Sequence, residues 1–388
     1  MKIIIDSLAG IKAGGVYVPG WGERVLEITI GKDKILTPSY AISQTDVNYL
    51  ADLAKLLPHG NFNAEVAEIK KKYTLEKLSE IVKDTTGMLA QKEVSWINAQ
   101  ITALKSSSNA VMFFFTPILE GKDLLTRSII DSLVDLQIQS DLKIVSVPDC
   151  KIYQGPQTLS MFRQIKKRIS AKGKNAFFQI SMDYDTKRLK SKVGKVLKVA
   201  DGIVGIYADH VKYNFNYFYI MGLYKYKIVR VLSNVPRVYP LRGENGIIPQ
   251  MSMFFDIVSI EKGEFHPSKK KKEKKPDHEL THAKMYVRGY NRYYTFGKYE
   301  SAFGQQLNCG CTICSGNTLT DLRVDYDGVL RKAMRIHETE NIISFFESIR
   351  NDIGIGTFKN YVKSNPSFKI IANTVTMSKK QRIIPKGP

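Results

Sequence analysis

The chain is poor in the features that mark several large protein classes. It has four cysteines in 388 residues, and three of them crowd into one short loop. Such a set builds no secreted disulfide framework, so a reducing cytoplasm is the expected setting. Long hydrophobic runs are missing. The longest, at 111–115, is too short to span a bilayer, and no charged-then-apolar signal opens the sequence, so no membrane partner is expected. No G-x-G-x-x-G or G-x4-G-K-[ST] turn follows a strand pattern, which argues against a nucleotide-cofactor enzyme. Acidic residues are scarce: 37 Asp and Glu stand against 58 Lys and Arg, leaving +21 at neutral pH. An excess of that size in a folded protein points to a polyanionic partner. Nucleic acid leads over an anionic membrane, because no long amphipathic basic helix stands out.

What is present is as informative. Cys309-Gly310-Cys311-Thr312-Ile313-Cys314 places three thiols on one tight loop, with Gly310 letting the backbone turn between the first two. The stretch 324–349 reads as a helix that carries His337 back to that loop. Three thiolates and an imidazole complete a tetrahedral Zn²⁺ set with no position left for water, which predicts a structural metal. A redox pair or buried apolar cysteines are the alternatives; the third cysteine and the spaced histidine favour metal. Cys150 lies far off in sequence and reads as a core residue.

A hydrophobic content of 43% with 24% charged residues describes a soluble globular protein of one large or two ordinary domains. Strand patterns at 2–5, 16–18, 24–30 and 34–37 precede helical patterns at 46–57 and 75–105. From residue 110 the pattern alternates. Strands at 111–115, 143–147 and 176–181 are followed by helices at 124–139, 157–172 and 189–200. Further strands are expected at 202–207, 227–232 and 253–258. Strands alternating with helices predict a parallel sheet, and so many units in one run predict an α/β fold of the (β/α)₈ type with a C-terminal zinc-binding subdomain. The expected organisation is 1–105 leading into the barrel, 106–262 as barrel core, 263–300 as a basic insertion and 301–388 as the zinc subdomain with C-terminal helices. Within the insertion, Lys269, Lys270, Lys271, Lys272, Lys274 and Lys275 form a run that buries nothing and reads as a phosphate-contacting finger, a solubilising loop being the alternative. The sequence after it interleaves Arg288 and Arg292 with tyrosines, a combination that can pair phosphates and stack on unpaired bases, a tyrosine-rich edge strand being the structural alternative.

In barrel enzymes, carboxylates that follow strand C-terminal ends face the active site. Asp149 ends one strand pattern, Gln179 lies near the end of the next, and Asp256 sits among large apolar neighbours. Taken in order, these segments resemble the tRNA-guanine transglycosylase family over roughly residues 120–350. Asp149-Cys150 is similar to the family's base-recognition segment and Phe178-Gln179-Ile180 to its Val-Gln-Gly strand. Residues 201–208, around Gly205, look like its Gly-Gly-Leu-Ala strand, and Phe254-Phe255-Asp256 resembles its Met-Phe-Asp motif. Cys309, Cys311, Cys314 and His337 match its zinc ligands, and Leu36-Thr37-Pro38 its segment before the barrel.

The resemblance implies a (β/α)₈ barrel that exchanges guanine for a 7-deazaguanine base. It implies Asp256 as nucleophile at C1′, Asp149, Gln179 and the backbone near Gly205 as base readers, and a possible homodimer through the zinc-subdomain helix. The family's second active-site Asp has no counterpart in 112–121; either Glu120 or the nearby Asp123 replaces it, or that role is lost. Its Leu-Pro-Thr-Arg stretch is replaced by Ser259-Ile260-Glu261-Lys262, and little chain follows His337 for a tRNA-reading domain. With the heavy positive charge, these departures favour the DNA-modifying 7-deazaguanine branch, which must flip its target nucleotide out of the duplex. A tRNA enzyme and a catalytically silent nucleic-acid binder are the alternatives.

Overall fold

The structure, a computed structural model, describes residues 3–9, 25–30, 32–53, 60–119, 126–149, 157–181, 186–200, 203–207, 229–235, 251–252, 255–260, 284–307, 309–323, 329–354, 357–366 and 368. Expectations that lie outside the described residues concern the strand at 16–18, Glu120, Asp123, Cys150 and the lysine run Lys269–Lys275.

Three antiparallel strands come first: β1 (Ile3–Ala9), β2 (Val25–Ile30) and β3 (Asp33–Leu36). The eight strands that follow form one parallel sheet: β4 (Ser39–Ser43), β5 (Val66–Tyr73), β6 (Met112–Leu119), β7 (Ile144–Val147), β8 (Asn175–Ser181), β9 (Ile203–Tyr207), β10 (Val229–Val235) and β11 (Ile257–Ile260). Their spatial order, β6-β5-β4-β11-β10-β9-β8-β7, is the chain order wrapped into a ring. Strands β6 and β7 stand side by side at the seam, so the sheet is a nearly closed (β/α)₈ barrel. At that seam Gln137 does what a neighbouring strand would do. Its side-chain amide donates to Ser146 O at 2.9 Å and its carbonyl accepts from Ser146 N at 2.7 Å, both buried.

Helices α1 (Gln44–Leu53), α2 (Leu75–Lys83), α3 (Met88–Ser106), α4 (Arg127–Gln139), α5 (Gln157–Ala171) and α6 (Thr186–Leu197) connect successive strands. Thr74 and Thr126 cap α2 and α4, each accepting a backbone N–H three residues on. Outward-facing strand residues such as Ile42, Phe115, Val145, Phe178 and Val204 pack with the buried faces of these helices in one large core. Inside the barrel, Ala41, Val66, Met112, Phe114, Ile144, Phe177, Ile203, Val229, Val231 and Ile257 form a second core. Leu26, Ile28, Ile30 and Ile35 of β2 and β3 join it, so the N-terminal sheet plugs the barrel.

The barrel starts earlier than the expected residue 106, since β4 and β5 both lie within 39–73. Strand β5 was hidden because two of its buried positions, Glu68 and Lys70, are charged, which is not how a buried parallel strand usually reads.

After the barrel come the hairpin β12 (Lys284–Val287) and β13 (Arg292–Thr295), then α7 (Phe296–Phe303), α8 (Leu319–Arg323), α9 (Val329–Gly354) and α10 (Phe358–Ser364). Helix α9 packs on α1, β4 and β12. Arg335 fastens it there through a buried 2.6 Å ion pair with Asp46, whose second oxygen accepts from Ser43 N at 2.8 Å. Burial raises the Asp46 carboxyl, but the Arg335 guanidinium and the Ser43 donors outweigh it and hold the group below its ordinary value. Further along α9, Arg350 donates to Pro38 O at 2.9 Å and to Ser39 Oγ at 3.0 Å. The hairpin expected to belong to a basic insertion is part of this C-terminal module.

Candidate functional site in the barrel and at the cysteine loop

Parallel strands alternate their side chains between lumen and helix layer, so the lumen-facing set can be read from the register. The lower lumen is apolar. At the level where β4 ends it turns polar, because Glu68 pairs in register with Ser43, the last residue of that strand. Four side chains from three strands meet there. Lys70 Nζ lies 3.0 Å from Glu68 Oε2 and donates to the carbonyl of Ile260, the last residue of β11. Thr116 donates to Glu68 Oε1, and Gln179 Nε2 donates to Thr116 Oγ1 at 3.0 Å. Glu68, Lys70 and Thr116 are at most 1% exposed and Gln179 is 6% exposed.

Buried charges persist only where they are paired and hydrogen-bonded, and this set is incompletely so. Glu68 Oε2 faces the Lys70 ammonium but accepts no hydrogen bond, and the hydroxyls of Ser146 and Ser233 make none. Both serines lie two residues past a lumen residue, Ile144 and Val231. The polar layer therefore lies toward the end of the barrel where enzymes of this architecture bind substrate.

Of the residues expected at the site, Gln179 lies in this layer. Asp149 follows β7 at the same end of the barrel, in a buried ion pair with Lys192 of α6. Gly205 is filled rather than open. A Cβ there would come within 2.4 Å of the Phe177 ring, which packs edge-on against Phe114 at 5.4 Å. Gly205→Ala is therefore expected to cost about 1–3 kcal/mol by overpacking. An unchanged denaturation midpoint would show that the ring moves aside.

Asp256 is placed elsewhere, which corrects the expected strand at 253–258. It precedes β11 instead of ending it, at the N-terminal edge of the sheet. Its carboxylate accepts from Arg230 N at 2.6 Å and pairs with the Arg230 guanidinium at 3.3 Å. Its own backbone joins β10 to β4, donating to Arg230 O and accepting from Ser39 N at 2.8 Å each. The geometry makes it a clamp between strands, away from the polar layer. Glu68, Lys70 and Thr116 were not singled out from the sequence; Glu68 and Lys70, two apart on one face of a strand, were the available signal.

The cysteine loop assembles as its spacing predicts. The donor atoms of Cys309, Cys311, Cys314 and His337 all lie within 4.8 Å of one another. His337 Nδ1 is 3.4, 3.1 and 3.2 Å from the three sulfurs in chain order. Its Nε2 lies 2.7 Å from the Tyr286 carbonyl of β12, which fixes the ring with Nδ1 toward the thiols. Asn341, one turn along α9, holds the His337 carbonyl at 2.8 Å and reaches Cys309 Sγ at 3.4 Å. Hydrogen bonds among the sulfurs hold the Cys309 thiol below its ordinary value and push Cys314 above it. Four soft and borderline donors, a fixed imidazole and near-complete burial make a group that can hold a metal ion.

Of the residues expected to meet nucleic acid, Arg288 donates to Ser344 Oγ on α9 at 2.7 Å and Arg292 lies over the Tyr294 ring at 5.6 Å. Both are half-buried. Among the described residues no helix is long and apolar enough to cross a membrane. No protein-family model matches the chain, and no curated protein matches it. What is established is an α/β barrel of the (β/α)₈ type bearing a Cys₃His group that can hold a metal.

Proposed function

We propose that this protein is a pentosyltransferase that exchanges guanine for a 7-deazaguanine base in DNA, with zinc held structurally by Cys309, Cys311, Cys314 and His337. The observation that carries this is the buried carboxylate, ammonium and amide set of Glu68, Lys70 and Gln179 facing the barrel lumen. Glycosyl exchange needs a carboxylate at the anomeric carbon and donors and acceptors for the edge of a base, without a redox cofactor. Glu68 takes the nucleophile's part that the sequence had suggested for Asp256. Its oxygen bonds to C1′ as the bond from C1′ to guanine breaks. Guanine leaves with the bonding pair and is protonated at N9; the incoming base gives up its own N9 proton as it forms the new C1′–N bond and releases the carboxylate. Gln179 keeps a side-chain carbonyl for the base's N–H edge. The zinc set would tie the cysteine loop and hairpin to α9 and take no part in the chemistry. The charge of +21 favours a polyanionic substrate.

The test is to supply labelled 7-deazaguanine bases to the metal-loaded protein with plasmid DNA and bulk tRNA in separate reactions. Label entering DNA is the expected result. Label in tRNA alone would move the substrate to RNA, and label in neither would overturn base exchange.

A further inference from the structure

Positive charge is not spread evenly over this molecule. Residues 157–200 carry twelve Lys and Arg against two Asp. Neither α5 nor α6 contains an acidic residue, and the two helices pack side by side. Some of these cations have structural duties. Lys192 pairs with Asp149, Arg168 with Asp131, and Lys166 donates to Val199 O at 2.8 Å. Arg163, Lys167, Lys172, Lys187 and Lys198 do not. All five are exposed and form no ion pair among the described residues. Helices α2 and α3 show the contrast, since they carry Glu76, Glu80 and Glu93 beside their lysines.

We infer that the outer face of α5 and α6 is a docking surface for the sugar-phosphate backbone of nucleic acid. Like charges crowded on adjacent helices repel one another and weaken the fold unless a polyanion neutralises them. Arg163 and Lys167 stand one helical turn apart, about 6 Å, so they present a row of cations along α5. Both helices pack on β8, the strand that carries Gln179, and Lys192 of α6 reaches Asp149, so this face lies on the side of the barrel that holds both residues. A lipid surface fits less well. Helices that lie on membranes bury large apolar residues, and among the described residues the exposed ones are Leu36, Val82, Met88 and Tyr290, none on α5 or α6. This inference rests on the nucleic-acid half of the function proposed above, and not on base exchange.

The experiment is binding of the full-length, metal-loaded protein to a fluorescent DNA duplex across a salt series. It compares wild type with R163E/K167E/K172E/K187E/K198E and with the control K83E/K92E on α2 and α3. The five-fold variant is expected to bind at least about tenfold more weakly near physiological salt. Its log–log salt slope should be shallower by about 3–5, close to 0.9 for each phosphate no longer neutralised. Thermal unfolding and metal content should match wild type. Unchanged affinity and slope would overturn the inference, as would an equal loss in the control. Vesicles of anionic phospholipid that displace the duplex from wild type would also overturn it, in favour of a membrane surface. Base exchange that fails while this binding pattern holds would remove the enzymatic reading alone.

Discussion

With zinc held by the Cys₃His group as proposed, Cys311→Ser should release it and lower the midpoint of thermal unfolding by roughly 5 °C. Cys311 is buried, with its sulfur 3.1 Å from His337 Nδ1 and also accepting from Cys314 N at 3.4 Å. A serine hydroxyl is a poor substitute for a thiolate ligand, so the set falls to three donors. Structural zinc contributes about 10–16 kcal/mol in small finger peptides. Even a third of that, about 3–5 kcal/mol, corresponds to roughly 5 °C in a chain of 388 residues, whose unfolding entropy is about 0.8 kcal/mol/K. The loss should not unfold the barrel outright. Helix α9 remains tied to it by Arg335–Asp46 and by Arg350 on Pro38 and Ser39. Metal analysis together with differential scanning calorimetry checks this, and a variant that keeps one metal per chain at an unchanged midpoint would sink the assignment.

Glu68→Gln is expected to reduce covalent adduct formation and base exchange by at least ~10³-fold, the scale seen when a nucleophile is removed. The amide preserves shape but cannot attack an anomeric carbon. It also leaves Lys70 without its partner at 3.0 Å, so folding must be checked by circular dichroism. Glu68→Asp serves as the second variant, because it keeps the charge and should retain measurable adduct if the carboxylate is the reacting group. Asp256→Asn should behave in the opposite way. It loosens the clamp on a buried Arg230 and costs up to about 3 kcal/mol of stability, while adduct still forms. Adduct lost in Asp256→Asn but kept in Glu68→Gln, with both variants folded, would return the nucleophile to Asp256.

The contrast between these two carboxylates shows where sequence reading worked. The cysteine loop was legible because its three sulfurs are neighbours in the chain, and only His337 had to be brought from a distance by a helix whose period was plain. The alternation of strands and helices from β6 onward was legible for the same local reason. Strand β5 was not, because Val66–Tyr73 mixes charge into its buried positions. Asp256 was misplaced because Phe255, Ile257 and Val258 are apolar on both sides of it. Such a run does not reveal where the strand starts or which face each residue takes.

By itself, then, the sequence determined the class of this protein: an alternating α/β chain, a four-donor metal set and a large excess of positive charge. Local spacing and composition carry that information, and both survive without a fold. Only the tertiary structure decided which carboxylate enters the lumen and at which end. Glu68, Thr116 and Gln179 come from three strands, and their meeting depends on a parallel register that no short stretch of sequence encodes. The same register, pairing Val231 with Ile257, sets Asp256 beside Arg230 at the opposite edge of the sheet.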